Sequence, residues 1–246
     1  MADAIHQQPT VLDLGRMPYA AAYAEQVRHV DEVQAARARS APHPGTVAGV
    51  ILLVEHDPVI TVSQRAGAGQ HLLAGPEVLA RHGVEVVPTD RGGDITYHGP
   101  GQLVVYPILD LNLLNLGLHE YMRLLEASVI GACATWGIEA KRDSAATGVW
   151  VEDGDAGLAK VCAMGVRVRR WVSMHGLAIN LTTNLEHFGF IVPCGLAGRG
   201  VTSLQKVLGA GCPTMDELKG VLVRELCVRI AEAGETAATK RAAVEG

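Results

Sequence analysis

Gly148-Val149-Trp150-Val151-Glu152-Asp153-Gly154-Asp155 decides what kind of sheet this chain builds. Valine and tryptophan make a short strand over residues 148–151, and the acidic run around Gly154 is turn chemistry. Lys160 to Met174 then alternates strongly between apolar and polar residues, the period of a half-buried strand. A strand, a tight turn and another strand form a hairpin, whose partners run antiparallel. His175-Gly176-Leu177-Ala178-Ile179-Asn180-Leu181 continues the sheet after a kink. A mixed, largely antiparallel sheet follows.

Upstream, Thr10-Val11-Leu12-Asp13-Leu14-Gly15 reads as a first strand. Tyr19 to Arg39 carries apolar residues at helical spacing (Ala22, Val27, Val30, Val33) and reads as a long amphipathic helix, stopped by Ala41-Pro42-His43-Pro44-Gly45. Val50 to Val54 is a continuous apolar run and therefore a buried strand. Val59 to Val62 follows the turn at Asp57-Pro58. A short helix over Glu77 to His82 and strands over Val84 to Val87 and Leu103 to Leu109 come next. Leu118 to Trp136 is a second long helix, ended by Gly137. Met215 to Ala231 is a C-terminal helix capped by Thr214. The fold class is α/β of the α+β kind, a mixed, largely antiparallel sheet flanked by helices. No repeat or linker divides it, so residues 9–231 are expected to form one domain, with 1–8 and 232–246 as flexible termini.

The 246 residues suffice for one substantial core, and 48% hydrophobic with 19% charged residues is ordinary for a globular chain. The net charge of −5 argues against phosphate-driven nucleic-acid binding. No apolar run is long enough to span a bilayer, and the N-terminus lacks a basic segment followed by an apolar one. The five cysteines (Cys133, Cys162, Cys194, Cys212, Cys227) are odd in number and scattered, unlike a disulfide framework. They form no Cys-x-x-Cys pair and the histidines show no ligand spacing, so no metal is expected. A reduced, cytoplasmic setting fits.

Arg91-Gly92-Gly93-Asp94-Ile95-Thr96-Tyr97-His98-Gly99-Pro100-Gly101-Gln102 packs four glycines, an arginine and a histidine into twelve residues ahead of a strand. Glycine buries nothing and costs backbone entropy, so the cluster suits a backbone that bends sharply close to a ligand. It also suits a plain loop with turn glycines. Far downstream, Cys194 stands in Pro193-Cys194-Gly195-Leu196, a tight turn outside any helix or strand pattern. Cys133 and Cys227 fall in apolar helical patterns, where packing is their default role. A free thiol is only a few per cent thiolate at neutral pH, so a nucleophile needs a cation or base beside it. Lys160, set among small and apolar residues, is the leading candidate. Sequence spacing does not bring it to Cys194, and an edge-strand lysine in solvent is the plain alternative.

With these residues in view, the chain resembles the lipoyl(octanoyl) transferases. The resemblance runs through Leu53-Val54-Glu55-His56-Asp57-Pro58-Val59-Ile60-Thr61, the glycine segment 91–102, Gly148-Val149-Trp150-Val151 and Lys160-Val161-Cys162-Ala163-Met164-Gly165-Val166-Arg167. It continues through His175-Gly176-Leu177-Ala178-Ile179-Asn180, Pro193-Cys194-Gly195-Leu196 and Val201-Thr202-Ser203-Leu204. These blocks stand in the family's order over residues 9–230. Val62-Ser63-Gln64-Arg65 departs from the Leu-Gly-Arg-like turn of many members.

The resemblance implies the biotin/lipoate protein ligase-like catalytic fold and a reaction that moves an octanoyl group from octanoyl-acyl carrier protein to a lysine. The acceptors it implies are lipoyl domains of 2-oxoacid dehydrogenase complexes and the glycine cleavage H protein. It implies no cofactor, no nucleic acid and no membrane partner. It assigns Cys194 as the acyl-thioester nucleophile and Lys160 as the residue that lowers its pKa and serves as acid and base. Substrate contacts map to Arg91, Gly92, Gly93, Asp94, Ile95, Thr96, Tyr97 and His98, to Ala163, Met164 and Gly165, and to Gly176, Leu177 and Ala178.

The chemistry suits these residue types. Thiolate attack on a thioester gives a second thioester of similar energy, and amine attack on that gives an amide, so no ATP is needed. Glycine-rich backbone with Arg91 and His98 is suited to hold an oxyanion or to tie the loop down, and both readings stand. His175 reads as structural. An ATP-dependent lipoate or octanoate ligase of the same fold is the nearest rival, disfavoured by Pro193-Cys194-Gly195. A biotin-repressor-like regulator is disfavoured by net charge and by the lack of a helix-turn-helix segment. The basic run Arg167, Arg169, Arg170 is expected to meet an acidic partner or solvent.

Overall fold

A computed structural model describes residues 8–39, 49–154, 157–192 and 200–245. In chain order the elements are β1 (Thr10–Met17), α1 (Tyr19–Arg39), β2 (Gly49–His56), β3 (Val59–Ser63), α2 (Pro76–Arg81), β4 (Glu85–Thr89), β5 (Ile95–His98) and β6 (Gln102–Leu109). Then come α3 (Leu118–Ala134), β7 (Val149–Glu152), β8 (Leu158–Arg169), β9 (Val172–Asn180), β10 (Gly200–Val201), α4 (Leu204–Leu208) and α5 (Met215–Glu245).

The larger sheet runs β1-β2-β6-β9-β8-β10, with β7 also on β8, and the smaller runs β4-β3-β5. The pairs β2–β6, β6–β9, β9–β8, β8–β7 and β3–β5 are antiparallel, whereas β1–β2, β8–β10 and β3–β4 are parallel. The sheet is thus mixed and largely antiparallel, as the sequence predicts. The apolar runs of β2 and β6 are continuous because helices cover both faces. Ile51, Leu53, Leu103, Val105, Leu177 and Ile179 pack with Leu125 and Val129 of α3 and Leu218, Leu222 and Leu226 of α5. Their neighbours Val50, Leu52, Val54, Val104, Ile108, Met174 and Ala178 face Ala22 and Val30 of α1. A third cluster, including Ile60, Leu79, Ile95, Tyr97 and Phe188, lies against the small sheet.

Two expectations are corrected. Lys160 to Met174 is a hairpin, not one strand. Arg169 pairs with Val172 across a turn at Arg170 and Trp171, both at positive φ (50° and 63°). Met164, Val166 and Val168 before the turn and Val172 and Met174 after it all fall on even numbers, so the sequence reads as one alternating run interrupted only at Arg170-Trp171. Reversal of the chain nevertheless sends Val166 and Val168 to the α3/α5 face and Val172 and Met174 to the α1 face. The predicted kink at His175 is there, with φ of 58°. The second correction concerns residues 232–245, expected as a flexible tail. They continue α5 to Glu245 and bury Ala237. The segment is rich in alanine and glutamate, which favour helix, and holds no proline. No helix among the described residues is long and apolar enough to cross a membrane.

Candidate active site

Two of the sequence-predicted blocks are cross-strand partners. Ala163 stands opposite Ala178, Met164 opposite Leu177 and Gly165 opposite Gly176. The glycine loop lies on them, with Gly92 N donating to Val166 O at 2.9 Å. A Cβ on Gly165 would sit 2.7 Å from Gly92 O, and one on Gly176 2.2 Å from Val105 O. Both glycines therefore allow a backbone approach that a side chain would block. These segments enclose a pocket of about 40 Å³, lined by Arg91, Gly93, Asp94, Ile95, Thr96, His98, Ala163, Met164, Gly165, Gly176, Leu177 and Ala178. Tyr19, Val104, Tyr106 and His175 complete the wall.

Gly92 supports this wall from behind rather than lining it, and Tyr97 is turned away. Successive side chains of a strand alternate, so Thr96 and His98 face the pocket while Tyr97 packs edge-on to Phe188 and shares a 2.8 Å hydrogen bond with His187 Nδ1. The Arg91 guanidinium donates to Thr61 O (3.1 Å), Thr61 Oγ1 (2.8 Å) and Gly92 O (3.1 Å), which ties the loop to β3. Asp94, fully buried, lies 2.8 Å from His71 Nδ1 through Oδ2, outside hydrogen-bond alignment, and its Oδ1 has no hydrogen-bond partner.

Lys160 is outside the pocket wall, three residues before Ala163 on the same strand. It is 8% exposed, so the solvent-facing reading of this lysine is set aside. Its Nζ lies 4.8 Å from the centroid of the Trp150 ring, a cation–π contact. Gly148 makes room for its stem, since a Cβ there would sit 3.3 Å from Lys160 Cε.

Cys194 lies outside the described residues, as do Pro193, Gly195 and Leu196. The residues that flank this segment are anchored at the site. Val192 N donates to His71 O at 2.8 Å, and Gly200 and Val201 pair with Ala159 and Lys160. Among the described cysteines, burial pushes the thiol pKa up at Cys133 (to about 12), Cys162, Cys212 and Cys227. None of these four is poised as a thiolate.

Neutral imidazoles and phenols cluster here: Tyr19, His98, Tyr106 and His175 line the pocket, and His56 lies behind them. His56 Nδ1 faces Met17 O at 3.2 Å, so Nε2 accepts from Tyr106 Oη at 2.7 Å. Tyr19 lies tilted against the His56 ring, with centroids 5.5 Å apart, and shares a 2.7 Å hydrogen bond with Thr89. His175 Nε2 meets Asp90 Oδ1 at 2.7 Å, and Asp90 also receives Tyr23 and Arg167. Burial pushes His56 down to about 4, and His98 and His175 down to about 3. Neutral rings here, with Val104, Leu177 and Ala178, give an alkyl chain an apolar surface.

The sequence missed Tyr19 and Tyr106, because an aromatic residue in an apolar strand or at a helix start looks like core. His175, read from the sequence as structural, is held by Asp90 and also lines the pocket. Of the basic run, Arg167 pairs with Asp90 and Arg169 with Asp31, so both are engaged within the chain.

The family model described as the lipoyl protein ligase A/B catalytic domain matches residues 27–227. An octanoyltransferase of Bacteroides fragilis (strain YCH46) is 45% identical over 210 residues, 85% of this chain and 92% of that protein. One of Chloroflexus aggregans is 44% identical over 219 residues, 89% and 93% of the two chains. Among solved structures, a bi-partite lipoate protein ligase from Thermoplasma acidophilum superposes with a TM-score of 0.64 over 96% of this chain and 92% of that one. At 16% identity, that likeness establishes the fold alone.

Proposed function

Since the chain belongs to the lipoyl protein ligase A/B catalytic family and, within it, to the lipoyl(octanoyl) transferases, we propose that it carries an octanoyl group from acyl carrier protein to a lysine of a lipoyl domain through a thioester on Cys194. The observation that carries this reading is the convergence of the glycine loop, Ala163–Gly165 and Gly176–Ala178 on one pocket beside the strand that bears Lys160.

In the first step the Cys194 thiolate attacks the donor thioester carbonyl, a carbon–sulfur bond forms, and the carrier thiol leaves with a proton from Lys160. In the second, a neutral lysine amine attacks the enzyme thioester. A carbon–nitrogen bond forms, the carbon–sulfur bond to Cys194 breaks, and Lys160 takes the amine proton. The buried Lys160 ammonium, held against Trp150, favours the thiolate by Coulomb attraction. The acceptors on this reading are lipoyl domains of 2-oxoacid dehydrogenase complexes and the glycine cleavage H protein, and the setting is the cytoplasm. Residues 9–231 carry the catalytic fold.

Intact mass spectrometry after mixing with octanoyl-acyl carrier protein tests the proposal. An octanoyl adduct is expected on the native chain and none on Cys194→Ser. Full transfer by Cys194→Ser, or transfer from free octanoate only with ATP, would overturn it.

A further inference from the structure

A chain of side-chain amides fixes which nitrogen of His98 carries its proton. Asn180 Nδ2 donates to the backbone carbonyl of Thr202 at 3.0 Å, which orients that amide. Its Oδ1 accepts from Gln102 Nε2 at 2.8 Å, and the same Nε2 lies 3.3 Å from the carbonyl of Tyr97. A carbonyl only accepts, so both amides are oriented without ambiguity. Gln102 Oε1 is left facing His98 Nδ1 at 2.7 Å, and it too only accepts. Nδ1 is therefore the N–H donor.

Burial, aided by His56, holds the ring neutral by pushing its pKa down to about 3. A neutral imidazole has one N–H, so Nε2 carries a lone pair. Nε2 makes no hydrogen bond among the described residues, and the ring lines the pocket. His98 thus offers the pocket an acceptor. An oxyanion needs donors and would be repelled by that lone pair, so the oxyanion reading of His98 falls.

The geometry points to His98 Nε2 as the acceptor that receives an N–H of the incoming lysine amine and aims its nitrogen lone pair at the acyl carbonyl. This rests on the proposed two-step transfer. Of the groups that enter this site, the amine brings N–H donors at the reacting atom, and the thioester brings none. The ring orients and does not carry the proton away. That proton passes to Lys160 as the carbon–nitrogen bond forms and the Cys194 sulfur leaves as thiolate.

His98→Asn tests the assignment, because an asparagine amide retains a donor toward Gln102 and deletes the acceptor at Nε2. With octanoyl-acyl carrier protein and a lipoyl domain, the acyl-enzyme is expected to form within about threefold of the native rate. Amide formation should slow by roughly 10- to 100-fold, the scale of one hydrogen bond at a reacting centre, so the acyl-enzyme accumulates by mass. Release of the acyl group by a small thiol, which brings no N–H, should be unchanged. Equal slowing of aminolysis and thiolysis, or unchanged aminolysis, would overturn the inference. Nitrogen-15 NMR of histidine-labelled native protein gives an independent reading: protonated Nδ1 with bare Nε2 supports it, and protonated Nε2 overturns it. Absence of any acyl-enzyme on the native chain would instead sink the two-step transfer itself.

Discussion

A Cβ at Gly176 would sit 2.2 Å from Val105 O and 2.7 Å from Pro107 Cδ, both parts of the neighbouring strand β6. Neither can give way without moving the central sheet. Gly176→Ala is expected to destabilise the fold by about 2–3 kcal/mol, a fall of roughly 4–12 °C in thermal midpoint, and to distort the pocket floor. Gly69→Ala serves as the control, since a Cβ there meets nothing within 4 Å. Equal midpoints for the two variants would refute this account of Gly176. At this scale the sequence was informative where a residue type is unusual for its setting: four glycines around an arginine, a lysine among apolar residues. It was silent where partnership is made by the fold. Thr61 as the anchor of Arg91, Trp150 over Lys160, and the amides behind His98 are each separated in sequence by between four and about eighty residues, and no local pattern marks them.

Elements were legible where burial imposed a period. The long helices α1 and α3 begin where the apolar spacing predicts, and β2 and β6 read as runs because both faces are covered. The β8–β9 hairpin escaped because its turn uses neither asparagine nor glycine. Arg170 and Trp171 both sit at positive φ, the demand of a type I′ turn, where a side chain costs about 1 kcal/mol or more. The side chain of Trp171 is half exposed, so little packing depends on it. Replacing the pair by Asn-Gly should therefore stabilise the protein by about 1–2 kcal/mol and raise its thermal midpoint by a few degrees. Differential scanning calorimetry on the double variant checks this, and a lower midpoint would show that the turn residues make contacts worth more than the backbone strain they carry.

For the whole molecule, the pocket's neutral histidines make stability depend on pH. His56, His98 and His175 have native pKa values of about 4, 3 and 3, against 6.5 in an open chain. The unfolded chain thus binds protons below pH 6.5 that the native state refuses. Their contribution is complete above pH 6.5 and is lost as pH falls toward 4 to 3. Between pH 6.5 and 5 each imidazole withdraws about 2 kcal/mol, whatever its native value below 5. Surrounding charges do little to offset this. Arg91 opposes protonation of His98 and His175, and Arg167 opposes it at His175. Asp90, which meets His175, is already paired with Arg167, and the groups that favour a charged ring are the Met17 carbonyl and then Asp57 at His56, and Gln102 at His98. Three such groups together approach the lower end of a typical domain's stability of about 5–15 kcal/mol. Thermal midpoints measured from pH 7.5 to 5 should therefore fall steeply across a range where exposed carboxylates remain ionised. His98→Asn should flatten that fall by about a third, because the pocket then holds one fewer imidazole to protonate on unfolding. A midpoint that stays level to pH 5 would mean that these rings are not held neutral by burial, and the neutral-imidazole surface offered to the acyl chain would go with them.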